Sequence, residues 1–381
     1  MPEIQERLAV PDFGSVDELT AGLEAKVRFD PNSNLYPRDG SPILGAIEAR
    51  AAHLAGVEAN EVVVYNTGMA AVTEAIDVAL KASGTPTPTV ALAMETYSQT
   101  RRYVNFLTGM GPKFVYFDSG DKERVAETID RHQPDVIITE TVSNYTGVPV
   151  LDTDFILDYA RQQEKPPILV LDNTLPLSTA QPLGEKIEAD DKILVVESGT
   201  KSYSLNGEIM GIGYTKNEEL LQYLRQLRRT RGSLPGTASQ ELISDLLPED
   251  RATFDERNRR LFKNTGDIAI RLAQGVDGNE EYLISHPVLP NHPNQEFYKR
   301  TYPEGGTPIF YIISRSLHQN EVTKRLWAHP GVQEQARLGQ SFGFDLTRIV
   351  PDEFVPAVRI AGGADTDGEA LGEALAEALN S

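Results

Sequence analysis

The feature that most constrains the fold of this chain is a series of short apolar runs that alternate with segments of helical periodicity. The runs begin at Val62, Val90, Phe114, Val136, Ile168 and Ile193. Between them, apolar residues recur every three or four positions, which is the spacing of one face of an α-helix. Because parallel strands are joined by helical crossovers and are buried on both faces, this alternation predicts a mostly parallel, helix-covered sheet.

Polar residues follow the apolar runs at the positions where strands would end. Thr67, Tyr97, Glu140, Asp172 and Ser198 each come just after such a run. In open sheets of this kind, ligands bind beyond the carboxyl ends of the strands. We therefore expect these residues to lie around one binding site.

The chain is long enough for more than one structural unit. A single hydrophobic core rarely serves 381 residues, so we expect a large domain and a smaller one. The apolar runs stop around residues 230–250, where a charged helical stretch begins. We predict an extended N-terminal arm over residues 1–41, a large domain over 42–245 and a small C-terminal domain over 246–381.

Composition disfavours several function classes. The formal net charge of −20 would repel nucleic-acid phosphates and anionic membrane surfaces, so we expect neither partner. The chain has no cysteine, which excludes disulfides and thiolate nucleophiles, and its six histidines are not spaced as metal ligands. No apolar run approaches the ~20 residues of a membrane span, and residues 1–7 do not resemble a signal peptide. A cytoplasmic protein without a bound metal is expected.

Lys201 carries the most specific chemical signal. It lies between Ser198, Thr200 and Ser202, and Asp172 comes at the end of an upstream apolar run. A lysine that forms a Schiff base with pyridoxal 5'-phosphate (PLP) needs hydroxyls nearby for the phosphate and a carboxylate that keeps the pyridine nitrogen protonated. We predict a PLP site in which Lys201 and Asp172 have these catalytic roles.

The phosphate of this cofactor would have two sources of donors. In an extended segment, the hydroxyls of Ser198 and Thr200 would face one side and both donate to phosphate oxygens. Thr67, Gly68 and Met69 lead directly into an amphipathic helix. Backbone amides at a helix N-terminus bind anions, so this turn is predicted to complete the phosphate site.

Several motifs resemble, in the same order, the Cys/Met metabolism family of PLP enzymes, and the match runs from about residue 30 to the C-terminus. They are residues 36–42, 67–71, 140–144, 172–174, 198–201, 286–290, 341–343 and 358–363. The resemblance implies an α/β fold of the PLP-dependent transferase type (aspartate-aminotransferase-like, fold type I). In this fold a large, mostly parallel sheet domain is joined to a smaller α+β C-terminal domain. The resemblance also implies a homotetramer, built from two tight dimers, whose active sites are completed by the neighbouring subunit.

The resemblance assigns further roles around the cofactor. Tyr97 would stack on the cofactor ring and assist leaving-group chemistry, and Asn144 would bond its phenolic oxygen. Tyr36 and Arg38 would bind phosphate across the dimer interface. Arg359 would bind the α-carboxylate of a small amino-acid substrate, for which a bidentate guanidinium supplies affinity and orientation.

Three positions bear on the choice of substrate: Ser341, Gln340 and Gln99. Ser341 would support the substrate carboxylate. Some cystathionine-processing relatives carry glutamate where this chain has Gln340, which offers no negative charge to a distal ammonium. Gln99 stands where methionine γ-lyases carry a cysteine. These departures weaken cystathionine and methionine as substrates.

The reaction implied by the resemblance is PLP-dependent γ-elimination or γ-replacement on a homoserine-derived or sulfur-containing amino acid. It would start from the internal aldimine that Lys201 forms with PLP. The Lys201 amine would then remove the Cα proton of the substrate. A lyase or transferase of the trans-sulfuration family is therefore expected. Two alternatives stay open: β-elimination or specialised carbon–carbon bond formation on the same fold, and a non-catalytic PLP-binding relative.

Overall fold

The fold, taken from a computed structural model, is described for residues 40–353 and 355–381. Most of the predicted N-terminal arm, including Tyr36 and Arg38, lies outside these residues. The strands are β1 Val62–Tyr65, β2 Thr89–Ala93, β3 Lys113–Phe117, β4 Val136–Glu140, β5 Ile168–Asp172, β6 Ile193–Glu197, β7 Gly211–Tyr214, β8 Tyr282–Ser285, β9 Ile309–Ser314, β10 Ala336–Leu338, β11 Thr347–Pro351 and β12 Ala357–Ala361.

The α-helices surround the two sheets that these strands form. They are α1 Pro42–Ala55, α2 Gly68–Ala82, α3 Ser98–Leu107, α4 Lys122–His132, α5 Thr153–Arg161, α6 Leu177–Ala180, α7 Leu183–Lys186, α8 Gly199–Ser202, α9 Glu218–Arg231, α10 Thr237–Leu246, α11 Arg251–Gly275, α12 Gln295–Thr301, α13 Gln319–Ala328, α14 Pro330–Gln335 and α15 Gly368–Asn380. Among the described residues, no helix is long and apolar enough to cross a membrane.

The first sheet has seven strands in the order β1-β7-β6-β5-β4-β2-β3. All of its strands run parallel except β7, which pairs antiparallel with β1 and β6. The six predicted apolar runs are its six parallel strands. The antiparallel strand β7 was not predicted from the sequence.

Both faces of this sheet are buried, which explains why its strands read as continuous apolar runs. In β1, Val62 and Val64 pack into the core on one face, while Val63 and Tyr65 pack into the core on the other. Burial of each such side chain contributes roughly 1.5–3 kcal/mol. The helical crossovers cover these two faces, so polar ligands can approach only at the ends of the strands.

The second sheet has five strands in the order β10-β11-β12-β9-β8. Its pairs are antiparallel except for β10 with β11. Helices α11 and α15 pack together beside it, and the leucines of α15 lie in the core of this unit. The predicted α/β fold with a smaller second sheet is confirmed. The predicted domain boundary at residue 245 falls within α10 and stays a prediction.

Candidate active site

One cavity of about 450 Å³ lies where the carboxyl ends of the first sheet meet loops of the second. Its size is that of a small-molecule or cofactor site. Every predicted site residue that the structure describes lines it: Thr67, Gly68, Met69, Tyr97, Asn144, Asp172, Ser198, Thr200, Lys201, Gln340, Ser341 and Arg359. The structure therefore brings together residues that are up to 292 positions apart in the chain, from Thr67 to Arg359.

The turn before α2 forms one end of the cavity. Thr67 caps this helix by accepting a hydrogen bond from the Ala70 amide at 2.9 Å. A Cβ atom on Gly68 would lie 2.9 Å from the Ser198 hydroxyl oxygen, so glycine permits the two loops to meet. Because the first amides of a helix have no acceptor within it, this end can bind an anion.

The segment that carries Lys201 corrects one prediction. Residues Gly199–Ser202 form a short helix instead of an extended segment, although Ser198 and Thr200 both line the cavity. The Thr200 hydroxyl donates to the Met210 carbonyl at 3.1 Å and accepts from the Met210 amide at 3.0 Å. The chain must turn back here to form the antiparallel strand β7. Ser198 lies beside Gly68, and its phosphate role stays a prediction.

Lys201 is partly buried in the cavity wall. Burial, followed by the positive charge of Arg359, lowers the pKa of its amine to about 8. Its Nζ lies 5.6 Å from the centroid of the Phe342 ring. Gly343 has φ +82°, and a Cβ atom there would lie 2.2 Å from the Lys201 carbonyl oxygen. The loop from the second sheet is thus packed closely against the lysine, whose neutral form is favoured by these surroundings.

Two carboxyl groups lie side by side at the ends of neighbouring strands. Asp172 on β5 pairs in register with Glu140 on β4. Burial raises the pKa of both groups; that of Glu140 rises to about 8, with Asp172 as the second cause. Asp172 also accepts a hydrogen bond from the Thr174 amide at 3.0 Å, which opposes the rise in its pKa. A cation bound beside Asp172 would stabilise its carboxylate.

Glu140 holds two loops of the cavity in place. Its carboxylate accepts hydrogen bonds from the backbone amides of Tyr97 and Asn144, the latter at 2.8 Å. The Asn144 side chain in turn accepts a hydrogen bond from the Tyr311 hydroxyl at 3.0 Å. Its position at a strand end predicted that Glu140 lies at the binding site, but not that it anchors these two loops.

The second sheet contributes Arg359, which lies on β12. Its positive charge lowers the pKa of Lys201 and opposes the burial that raises the pKa of the Tyr97 hydroxyl. Among the described residues, the buried Nε of Arg359 has no hydrogen-bond partner. An anion such as a substrate carboxylate would supply one.

The loop before β11 contains the other two predicted substrate residues. The Ser341 hydroxyl donates to the side chain of Asn206 at 3.3 Å, and Asn206 donates to the Phe342 carbonyl at 2.9 Å. The Gln340 amide donates to the Glu353 carboxylate at 3.2 Å. Glu353 therefore brings to this wall the negative charge that Gln340 lacks.

Arg101, Tyr145, Phe342, Asp352 and Glu353 also line the cavity wall, and none of these five was predicted as a site residue. Arg101 follows Tyr97 by one helical turn, and this spacing was a usable signal. The two carboxylates reach the wall only through the packing of the second sheet against the first. The sequence contains no local pattern that predicts this contact.

The residues of this cavity fit PLP. A helix N-terminus with an adjacent hydroxyl suits a phosphate, and a buried carboxyl group suits a pyridinium nitrogen. A buried lysine with a lowered pKa suits covalent attachment of an aldehyde. The close approach of Gly68 to Ser198, which a side chain would prevent, brings both loops to the end of the cavity where a phosphate would bind.

The chain shares its fold with solved structures of other proteins. It is similar to cystathionine gamma synthase from Xanthomonas oryzae pv. oryzae, solved in complex with cystathionine, with a TM-score of 0.71. The similarity covers 97% of this chain and 91% of that one, at 20% sequence identity.

The chain belongs to the Cys/Met metabolism PLP-dependent enzyme family, whose model matches residues 18–333. It is 28% identical over 283 residues to an L-methionine gamma-lyase of Brevibacterium aurantiacum. It is also 27% identical over 299 residues to a cystathionine gamma-lyase of Sus scrofa. These matches cover 74% and 75% of this chain, but 63% and 66% of the relatives' own length. The family resemblance and the PLP cofactor are confirmed.

Proposed function

We propose that this chain is a lyase or transferase that removes or replaces the γ-substituent of a homoserine-derived or sulfur-containing amino acid. The observation that carries the proposal is the placement of Lys201, Asp172 and Arg359 in one cavity. These side chains would bind the cofactor covalently, hold its pyridine nitrogen and bind the substrate carboxylate. Family membership supports the same reaction class.

The cofactor would be held by residues from several strand ends. The turn at Gly68 and Met69 would bind the phosphate together with Ser198. Tyr97 would cover the ring, and Asn144 would bond the phenolic oxygen. When bound, PLP withdraws electrons from the substrate amino acid, which makes protons on its α carbon acidic.

Arg359 and Lys201 would share the work on the substrate. A bidentate contact from the Arg359 guanidinium to the α-carboxylate orients the substrate in the cavity. The Lys201 amine then takes the proton from Cα as a general base, which requires its neutral form. The lowered pKa of this amine supports that role.

Tyr97 would act as a proton donor near the leaving group. Burial raises the pKa of its hydroxyl, and the negative charges of Glu140 and Asp172 add to the rise. The hydroxyl therefore keeps its proton near neutral pH. It can give this proton to a departing γ-substituent.

The proposal is tested by turnover of the PLP-loaded protein with O-acylhomoserines, cystathionine and methionine. We expect Lys201→Ala to abolish turnover, since no other group takes the Cα proton. Lys192→Ala is the matched control, because Lys192 is exposed just before β6, the strand that leads to Lys201. Full activity of Lys201→Ala would contradict the proposal.

Product analysis separates the proposed reaction from the alternatives. Elimination of the γ-substituent followed by hydrolysis yields α-ketobutyrate and ammonia, whereas β-elimination yields pyruvate and ammonia. A new carbon–carbon bond in the product would point to biosynthetic chemistry. Bound cofactor without any turnover would indicate a non-catalytic relative.

A further inference from the structure

One side chain behind the cavity wall joins the segment that carries the lysine to a loop of the second sheet. Asn206 lies between α8 and β7. Its amide nitrogen donates to the Phe342 carbonyl at 2.9 Å and, in a longer bond of 3.4 Å, to the Lys201 carbonyl. Its amide oxygen accepts from the Ser341 hydroxyl at 3.3 Å. The loop before β11, which contains Ser341 and Phe342, is thus tied to the Lys201 segment through this side chain.

The orientation of the Asn206 amide follows from its neighbours. A carbonyl oxygen can only accept a hydrogen bond, so the NH₂ group must face Phe342 and Lys201. The amide oxygen then faces the Ser341 hydroxyl. Because a hydroxyl hydrogen rotates, Ser341 can turn from this neutral amide to a substrate carboxylate, which is the stronger acceptor. Asn206 therefore orders the Ser341 side chain before a carboxylate binds.

The backbone on both sides of this contact adopts the left-handed region, which is costly for most residues. Leu205, Asn206 and Ser341 have φ values of 52°, 60° and 77°. Gly343 has φ +82°, and a Cβ atom there would lie 3.3 Å from the Asn206 amide nitrogen. Residues other than glycine persist in this region where the surrounding structure holds them. The Asn206 side chain is the contact that holds these two strained segments together.

We propose that Asn206 is a positioning residue, which fixes the loop at Ser341 and Phe342 relative to Lys201. This inference rests on the proposed function, which assigns the substrate carboxylate to Arg359 and Ser341 and the Cα proton to Lys201. Proton removal requires a set distance between the bound substrate and the lysine amine. Asn206 would touch neither substrate nor cofactor and would act through the loop.

Glycine is the substitution that isolates the Asn206 side chain. Because φ is 60°, Asn206→Gly removes the three side-chain hydrogen bonds without adding backbone strain. Leu205→Gly is the matched control, because Leu205 is the adjacent left-handed residue and its side chain is 37% exposed. Both substitutions give the unfolded chain the same added freedom. A difference between the two proteins therefore reports the hydrogen bonds of Asn206.

Equilibrium binding tests the positioning role without any reaction. The ligands are L-norleucine and L-norleucinamide, which differ only in the α-carboxylate. Calorimetric titration of the PLP-loaded protein measures both affinities. We expect Asn206→Gly to lower the preference for norleucine over norleucinamide about tenfold, because the loop no longer holds Ser341 at the carboxylate. Leu205→Gly should keep the wild-type preference.

Hydrogen exchange of the PLP-loaded protein measures the position of the loop directly. We expect the amides of residues 340–344 to exchange about tenfold faster in Asn206→Gly than in Leu205→Gly, since one tie of the loop is lost. An unchanged ligand preference would overturn the inference even if exchange were faster, because Asn206 would then stabilise the loop without serving the carboxylate. Equal losses of affinity for both ligands would also overturn it.

Turnover separates failure of this inference from failure of the proposed function. We expect Asn206→Gly to lower kcat/KM for the wild-type substrate by about tenfold or more, and Leu205→Gly to leave it unchanged. If an amino acid reacts and Asn206→Gly keeps the wild-type kcat/KM and ligand preference, the inference fails and the function stands. If no O-acylhomoserine or sulfur amino acid reacts while the norleucine preference depends on Asn206, the function fails and the positioning role stands.

Discussion

Glu140 connects two loops of the cavity through a single buried carboxylate. It accepts the amides of Tyr97 and Asn144, so it positions both residues that are proposed to contact the cofactor ring. We expect Glu140→Gln to lower the free energy of unfolding by about 1–3 kcal/mol, because the new side-chain NH₂ cannot accept from a buried amide. Urea denaturation of the apoprotein measures this change.

Glu127→Gln is the control for this substitution. Glu127 is exposed and pairs with Arg124 at a helix surface, where such pairs contribute little. Its replacement should leave the unfolding free energy nearly unchanged. Equal stability of the Glu140→Gln and Glu127→Gln proteins would contradict the anchoring role of Glu140.

The pH dependence of stability gives a second test of the same residue. Burial raises the pKa of Glu140 from 4.5 to about 8, so the folded apoprotein holds a proton that the unfolded chain releases. The contribution of Glu140 to the free energy of unfolding is therefore fully present below pH 4.5. It is lost as the pH rises through 8. Wild-type stability should therefore fall over this interval more steeply than that of Glu140→Gln. Parallel pH profiles would show that Glu140 does not hold the proton.

The carboxyl ends of strands are where sequence and structure agree best. Buried parallel strands read as apolar runs, and five of the six runs lead to a polar residue that lies at the cavity, because such strands all end on the same side. Asp172 and Ser198 were predictable for this reason. The antiparallel strand β7 was missed because its glycines obscure a strand pattern. Gly211 is required there, since a Cβ atom would lie 2.2 Å from the Thr67 carbonyl oxygen.

Short elements and contacts between sheets were not predictable. Helix α8 has four residues, too few for a periodic pattern, and it forms because the chain must reverse between β6 and β7. Glu353 joins the cavity through the packing of the second sheet, which no local sequence pattern encodes. Arg101 could have been predicted, because it follows Tyr97 by one helical turn.

Substitutions at the turn formed by α8 should distinguish a structural role of Thr200 from a cofactor-binding role of Ser198. Thr200→Val removes both side-chain hydrogen bonds to Met210 and should cost about 1–2 kcal/mol of unfolding free energy, whereas Thr200→Ser should cost less. Ser198→Ala should weaken PLP affinity with little change in stability. Denaturation and PLP titration measure the two effects. A Thr200→Val protein of normal stability and reduced PLP affinity would instead support the predicted phosphate role of Thr200.

Several large apolar side chains between β2 and the end of β3 are exposed. Met94, Phe106, Met110 and Tyr116 are 49%, 64%, 62% and 53% exposed. Exposed large apolar side chains are candidates for an interface between copies. We propose the homotetramer implied by the family, in which a neighbouring copy would complete the site with Tyr36 and Arg38.

Sedimentation analysis tests this assembly. Phe106→Glu places a negative charge among these exposed side chains. It should shift the protein to smaller species at the same concentration. Leu283→Glu is the control, because Leu283 is 49% exposed on the edge strand of the second sheet. A fully active wild-type monomer would contradict the proposed assembly.

The whole account depends on Lys201 as the residue that binds PLP. The most direct measurement is to load the protein with PLP, reduce the bond between cofactor and lysine with borohydride, and map the modified peptide by mass spectrometry. The account predicts a single phosphopyridoxyl group on Lys201. A label on another lysine, or no label at all, would contradict it.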